Sequence, residues 1–292
     1  MINLLFCGNN GIRKGLAMGL LSIAKYCKED LNVIVLTMDL HEIKNEYIPL
    51  SQEYVDSIEN ELKKVNPNSK INLVDITRLF QKENSNSVNM DNMYSPYAFI
   101  RLLADEVEQI GDKILYLDTD VCANKDISEL YNIDVSDVEY AAVKDYYGKV
   151  FIRSKYVNSG VMLYNMKEIR KSGLFKKCRN FVNTKKAVFP DQTALNKFVT
   201  KKKILPSKYN SQRRLKKNDV IRHFCKSVRW YPAWRVFNKK YKNLIKNYPR
   251  FFPLIHTLNV KPWDKEAMHK KLKCYAFDDI IEKVEKLENK IN

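Results

Sequence analysis

"KILYLDTDVCAN", residues 113–124, decides how this chain is read. The apolar run Ile114 to Leu117 is followed at once by Asp118, Thr119 and Asp120. Such a run reads as a buried strand. In extended backbone, residues two apart point the same way, so the two carboxylates converge on one point just past the strand. Two carboxylates that close repel unless a cation lies between them. Mg²⁺ or Mn²⁺ suits them, because such ions take hard oxygen ligands and commonly share their coordination with substrate phosphates. The competing reading is a turn in which both aspartates cap the segment that follows. D-x-D alone is weak; behind the run "ILYLD" it points to a metal platform that holds a diphosphate.

Outward from this stretch, the N-terminal half alternates strand and helix patterns. "NLLF" (3–6), "NVIVLT" (32–37), "INLVDI" (71–76) and "KILYLD" (113–118) read as buried parallel strands. Ile12, Leu16, Leu20, Ile23 and Cys27 keep helical spacing, as do Val55, Ile58, Leu62 and Val65, with Ser51 placed to cap the second helix. Pro96 to Gln109 reads as a third helix before a turn at Gly111-Asp112. Further strands are expected at "YAAV" (140–143) and "GVMLY" (160–164), and a final amphipathic helix at Ile280, Val284, Leu287 and Ile291. Alternation of this kind predicts an α/β doubly wound sheet, with ligands held at the carboxyl ends of the strands. The stretch 201–262 reads as irregular, broken by five prolines.

The chain has 292 residues, 45% of them hydrophobic, enough for a proper core. No apolar run is long enough to cross a membrane, and "MINLLFCGNNG" lacks the basic and long apolar parts of a signal peptide. Six scattered cysteines without a C-x-x-C pair suggest a reducing cytoplasm and no zinc site. The net charge of +17 is concentrated between Lys201 and Arg250, where 17 Lys and Arg face the single acid Asp219 among interleaved aromatic residues. Such a region suits phosphates, nucleic acid or lipid head groups. No zinc finger, helix-turn-helix or ribonucleoprotein pattern accompanies it, and nothing in a nucleic-acid reading needs Asp118 and Asp120, so no nucleic-acid partner is expected. A nucleotidyltransferase that makes a nucleotide-sugar is the other rival, suggested by "GNNGIRKG" (8–15).

Taken together, "KILYLDTDVCANKDISELYNIDV", "SPYAFIRLL" (95–103), "YVNSGVMLYNMKEIR" (156–170) and "FPDQTALNKF" (189–198) resemble glycosyltransferase family 8 in order and spacing. This family of retaining enzymes includes bacterial lipopolysaccharide galactosyl- and glucosyltransferases and glycogenin. The resemblance implies a GT-A fold, Rossmann-like, with a mostly parallel central sheet. It spans roughly residues 1–263, with a basic, aromatic-rich insertion at about 201–255 and a helical tail at 264–292. It also implies a UDP-sugar donor, Mn²⁺ or Mg²⁺, and a glycan, glycolipid or glycoprotein acceptor. Asp118 and Asp120 would ligate the metal with Thr119 between them, and Arg101 would contact the donor. Asn158 and Ser159 would touch the sugar or its acceptor side. Asp191 and Gln192 would line the sugar, Gln192 near the anomeric carbon. Phe6, Cys7, Gly8, Asn9 and Asn10 would form the uridine-binding strand and loop, although the acid usual near Asn9 or Asn10 and the aromatic usual near Ile12 are missing.

Family members end in H-F-x-G-x-x-K-P-W, whose histidine completes the metal site and whose lysine grips the diphosphate. This chain carries two partial copies, "HFCKSVRW" (223–230) and "HTLNVKPW" (256–263). His223 is the expected third ligand and His256 the alternative, with Lys261 or Arg229 on the diphosphate. The basic region suggests a cytoplasmic enzyme that touches an anionic membrane peripherally while it decorates a lipid-linked glycan.

Overall fold

The computed structural model describes residues 1–91, 95–213, 215–225, 227–229, 256–258 and 260–291. Its centre is a seven-stranded sheet. The strands are β1 (Ile2–Cys7), β2 (Leu31–Thr37), β3 (Lys70–Asp75), β4 (Lys113–Leu117), β6 (Tyr140–Lys144), β7 (Val157–Asn165) and β8 (Lys202–Leu205), in the order β3-β2-β1-β4-β7-β6-β8. The pairs β1–β2, β2–β3, β1–β4 and β6–β8 are parallel. β7 runs antiparallel to both β4 and β6. Strand order reverses between β1 and β4, which opens a crevice at their carboxyl ends, where ligands sit in sheets of this kind. Asp118 follows β4 at that crevice.

Period-two alternation divides the sheet into two buried faces. Leu4, Phe6, Val33, Val35, Leu115, Leu117, Val161 and Leu163 face one hydrophobic cluster. The helices Arg13–Tyr26, Gln52–Lys63 and Asp278–Ile291 cover this face and pack on one another. Leu5, Ile34, Leu36, Ile114, Tyr116, Met162 and Tyr164 face the other cluster, covered by Pro96–Glu106, Leu174–Thr184 and Pro190–Phe198. The last helix therefore shares the main core. Arg13 meets Glu288 at 2.9 Å, and Lys25 meets Asp279 at 2.9 Å.

The expected strands occur within about a residue of their expected ends, except that β7 begins three residues before "GVMLY". Ser51 caps its helix as expected, accepting from the Tyr54 N–H. That helix stops at Lys63, which leaves Val65 beyond it and exposed. The third helix is a 3₁₀ segment, Pro96–Glu106. The stretch 201–262, expected to be irregular, contains β8 and three short strands. β9 (Ile221–His223) pairs antiparallel with β5 (Val121–Ala123), and β10 (Ser227–Arg229) with β11 (His256–Leu258). Most of the aromatic-rich part of the expected insertion, 231–255, lies outside the described residues. Among the described residues, no helix is long and apolar enough to cross a membrane.

Candidate active site

Antiparallel pairing of β5 with β9 builds the centre of the site. Val121 lies opposite His223, and the Phe224 N–H donates to the Asp120 carbonyl at 2.8 Å. His223 is thereby set beside the turn that follows β4. Its Nε2 lies 3.1 Å from Asp120 Oδ1 and 3.8 Å from Asp118 Oδ2. One ligand atom from each of Asp118, Asp120 and His223 falls within 4.8 Å of the others.

A chain of hydrogen bonds orients the imidazole. The Gly160 N–H donates to Asn158 Oδ1 (3.0 Å), which identifies that atom as an acceptor. Asn210 Nδ2 donates to the same oxygen (2.8 Å), so Asn210 Oδ1 turns to His223 Nδ1 at 3.1 Å. The Asn210 oxygen can only accept, so Nδ1 carries a proton, and Nε2 is the nitrogen on the carboxylate side that gives up its proton when the ring is neutral. This is the tautomer a metal ligand requires. Gly160 is required by packing as well. A Cβ there would collide with His223 Cε1 and lie 2.8 Å from Asp118 Oδ2. Gly15 does the same for the turn, since a Cβ on it would strike the Thr119 carbonyl.

Behind the cluster lies Arg101, 5% exposed. Its Nη2 donates to Asp118 Oδ1 at 2.9 Å, its Nη1 to the Ser159 carbonyl at 2.6 Å, and its Nε lies 3.3 Å from Asp191 Oδ2. The guanidinium also stacks 4.1 Å from the Tyr116 ring centroid, and Tyr116 Oη donates to Asp118 Oδ1 at 2.6 Å. One Asp118 oxygen is thus saturated, and the other faces His223. Burial disfavours the Arg101 cation, but Tyr116, Asp118 and Asp191 more than compensate and hold it protonated. Burial raises the Asp191 carboxyl above its usual range against the pull of Arg101. At Asp120 burial also pushes upward, yet His223 and Lys261 outweigh it and lower the carboxyl.

The other sequence-derived residues divide between this centre and its surroundings. Ser159 N–H donates to Gln192 Oε1 at 2.9 Å, and Ser159 Oγ to Asp191 Oδ2 at 3.4 Å, which joins the start of β7 to the Pro190–Phe198 helix. Phe6 and Cys7 have their side chains in the core, so only their backbone can face a ligand. Asn9 caps the turn after β1 by accepting from the Gly11 N–H (3.1 Å), and Gly8 N–H donates to the Leu36 carbonyl. Asn10 lines a cavity of about 280 Å³ with Arg13, Lys14 and Trp263. Lys261 lies exposed near enough to Asp120 to stabilise its charge. The backbone of His256 is paired opposite Arg229; both side chains lie outside what is described.

Sequence reading missed Asp145. Its Oδ2 accepts from Asn158 Nδ2 at 3.1 Å and from Gln192 Nε2 at 3.5 Å, and its Oδ1 from the Gly148 N–H at 2.6 Å. An acid just past "YAAVK" repeats the strand-end pattern of Asp118, and that was the available signal. Asn210 and Tyr116 carried none.

The donor set suits a hard divalent ion: two carboxylates, each with an oxygen turned inward, and a neutral imidazole nitrogen. The sequence model of glycosyl transferase family 8 matches residues 16–267. The lipopolysaccharide 1,2-glucosyltransferase of Escherichia coli is 29% identical over 184 residues, covering 55% of this chain and 50% of that protein. A probable glycosyl transferase of Streptococcus gordonii is 32% identical over 116 residues, or 38% of this chain and 17% of the relative. The chain thus spans half the length, or less, of these curated relatives. Among solved structures, galactosyltransferase LgtC in complex with donor and acceptor sugar analogs superposes with a TM-score of 0.58 at 17% identity. That superposition covers 80% of this chain and 90% of LgtC, so the fold is GT-A.

Proposed function

The chain belongs to glycosyl transferase family 8, and on that premise we propose that it is a retaining hexosyltransferase. It moves glucose or galactose from a UDP-sugar to a hydroxyl of a glycan, glycolipid or glycoprotein. The observation that carries this reading is the convergence of Asp118, Asp120 and His223 at the end of β4. These three residues would hold Mn²⁺ or Mg²⁺. When bound, that ion supplies Lewis-acid neutralisation of charge developing on the leaving diphosphate.

The remaining tasks fall to the chain itself. Arg101 holds Asp118 and Asp191 in place from behind, so neither reorganises as charge moves. Lys261 adds a cation on the diphosphate side. Asn9 and Asn10 meet the uridine, and Asn158 and Ser159 the sugar or its acceptor side. Gln192, tied to Ser159 and Asp145, lies beside the anomeric carbon and stabilises the oxocarbenium-like transition state. The new bond forms on the face from which UDP departs, which retains configuration. Asp145 is a further residue of this pocket, oriented by Gly148 and Asn158. The basic region 201–250 would rest on an anionic leaflet, each Lys or Arg near the surface contributing about 1 kcal/mol. Salt-sensitive flotation with anionic vesicles tests that contact.

The test of the reaction is hydrolysis of UDP-glucose and UDP-galactose with and without Mn²⁺. Activity that requires the ion, survives His256→Ala and is lost in His223→Ala supports the reading. Full activity in His223→Ala sinks the ligand assignment. Turnover of UTP and a sugar phosphate instead would identify a nucleotidyltransferase.

A further inference from the structure

A second cationic site lies on the outer edge of the sheet. A cavity of about 530 Å³ is lined there by Arg153, Lys155, Lys197, Lys201 and Lys202, with Asp137 as the only acid among its lining residues. Its volume falls in the ordinary range for small-molecule sites, about 300–1,000 Å³. The cations come from separate elements: the loop before β7, the end of the Pro190–Phe198 helix, and β8.

The arrangement is held from within. Asn196 is 3% exposed and is fixed by its bonds with the Val157 N–H (2.8 Å), the Val157 carbonyl (2.8 Å) and the Gln192 carbonyl (2.9 Å). Arg153 Nη2 donates to the Asn196 carbonyl at 2.5 Å, and Lys202 Nζ to Asn196 Oδ1 at 3.1 Å. Two cations distant in sequence are therefore anchored on one buried residue. Among the described residues, none of the five cavity cations forms an ion pair with a carboxylate, unlike Lys208 with Glu129 or Lys265 with Glu282. Half-burial and the like charges of Arg153 and Lys155 pull the Lys202 amine down to about 8. Like charges gathered without a counter-ion are unfavourable, and an oxyanion would relieve them through charge-assisted hydrogen bonds.

We propose that this cavity is an anion subsite that receives a phosphate or carboxylate group carried by the acceptor glycan. Arg153, Lys155, Lys197 and Lys201 are exposed and Lys202 is half-buried, so the cavity offers one recessed amine among accessible cations, which suits a single charged group entering a concave site. Its location suits the acceptor, on the reading that Gln192 lies beside the transferred sugar. Asn196, which anchors Arg153 and Lys202, is one helical turn from Gln192 and donates to its carbonyl at 2.9 Å, and the loop that carries Arg153 and Lys155 leads directly into β7 and its Asn158 and Ser159. The acceptor is then an acidic oligosaccharide, bound by its charge in this cavity and glycosylated on the far side of Asn196, where Gln192 and Asn158 lie.

The experiment is calorimetric titration of the metal-free full chain with inorganic phosphate, glucose 6-phosphate and glucose. No donor is present, so the result stands apart from whether the protein transfers sugar. Binding of both phosphates but not glucose is expected, weakened at least about tenfold by Lys202→Met or Arg153→Gln and unchanged by Asp120→Asn. Thermal melts establish that the variants fold, and Lys202→Arg is expected to keep binding. Phosphate binding that ignores the Lys202 and Arg153 substitutions overturns the proposal. So does binding confined to phosphatidylglycerol vesicles, which would make the cavity a lipid contact. In a separate transfer assay with a UDP-sugar and Mn²⁺, equal use of phosphorylated and neutral oligosaccharides would overturn the acceptor assignment and leave the anion site standing.

Discussion

Among the described residues, Arg101 and Arg179 are both almost wholly buried, and each is ringed by carboxylates. Arg179 meets Asp105 at 2.5 Å, Glu106 at 3.0 Å and Glu83 at 3.3 Å, and ties the Leu174–Thr184 helix to its neighbours. Arg101 meets Asp118 at 2.9 Å and Asp191 at 3.3 Å. Burial and charge pairing are alike, so neither marks a functional site by itself. What differs is the far side of the acids. The carboxylates around Arg179 converge on the arginine, with Lys82 3.9 Å from the other Glu83 oxygen, and form no set of metal ligands among the described residues. Asp118 gives one oxygen to Arg101 and Tyr116 and turns the other toward His223 and Asp120. The arginine there backs a set of ligands that points into the crevice.

The comparison breaks most sharply if the two arginine sites respond alike. Arg179→Met should cost about 3–5 kcal/mol of stability, because it strands the buried Asp105 carboxylate. Where the variant remains folded, kcat should be unchanged. Denaturant titration and kinetics at low temperature check both, and a large fall in kcat of folded protein would erase the distinction. Asp120→Asn should behave oppositely, lowering transfer about a hundredfold to a thousandfold with the melting temperature nearly unchanged. Asn210→Ala removes the acceptor that orients His223 and should weaken Mn²⁺ binding about 10- to 100-fold, read by electron paramagnetic resonance. Unaltered affinity would mean that the ring is held by packing alone.

The smallest effect is in pH. Burial disfavours the His223 imidazolium, but Asp120 and Asp118 outweigh it and raise the ring above its ordinary 6.5. Protonation therefore stabilises the ion-free protein at acid pH, and that contribution fades as pH rises through the raised value. Ion binding needs the neutral ring and strengthens over the same window, by about tenfold per unit below it. A flat affinity profile from pH 6 to 8 would remove His223 from the ligand set.

Sequence carried the strands well because buried strands are written as short apolar runs. β8, "KKIL", escaped because an edge strand admits lysines. Asp118 and Asp120 were legible from strand-end position alone. The choice between His223 and His256 was not, since two partial copies of one pattern compete in the sequence. The pairing of β5 with β9 brings His223 to the aspartates, a contact across about 100 residues of chain that no local pattern encodes. Asp145 had the same strand-end signature as Asp118 but no second acid two residues on. Its place became visible only through Asn158 and Gln192.

Anomalous diffraction from a crystal soaked with Mn²⁺ and UDP tests the account most directly. One strong peak is expected about 2.0–2.3 Å from Asp118, Asp120 and His223 Nε2, and against the UDP phosphates. No peak among these side chains, or one completed by His256, would contradict it.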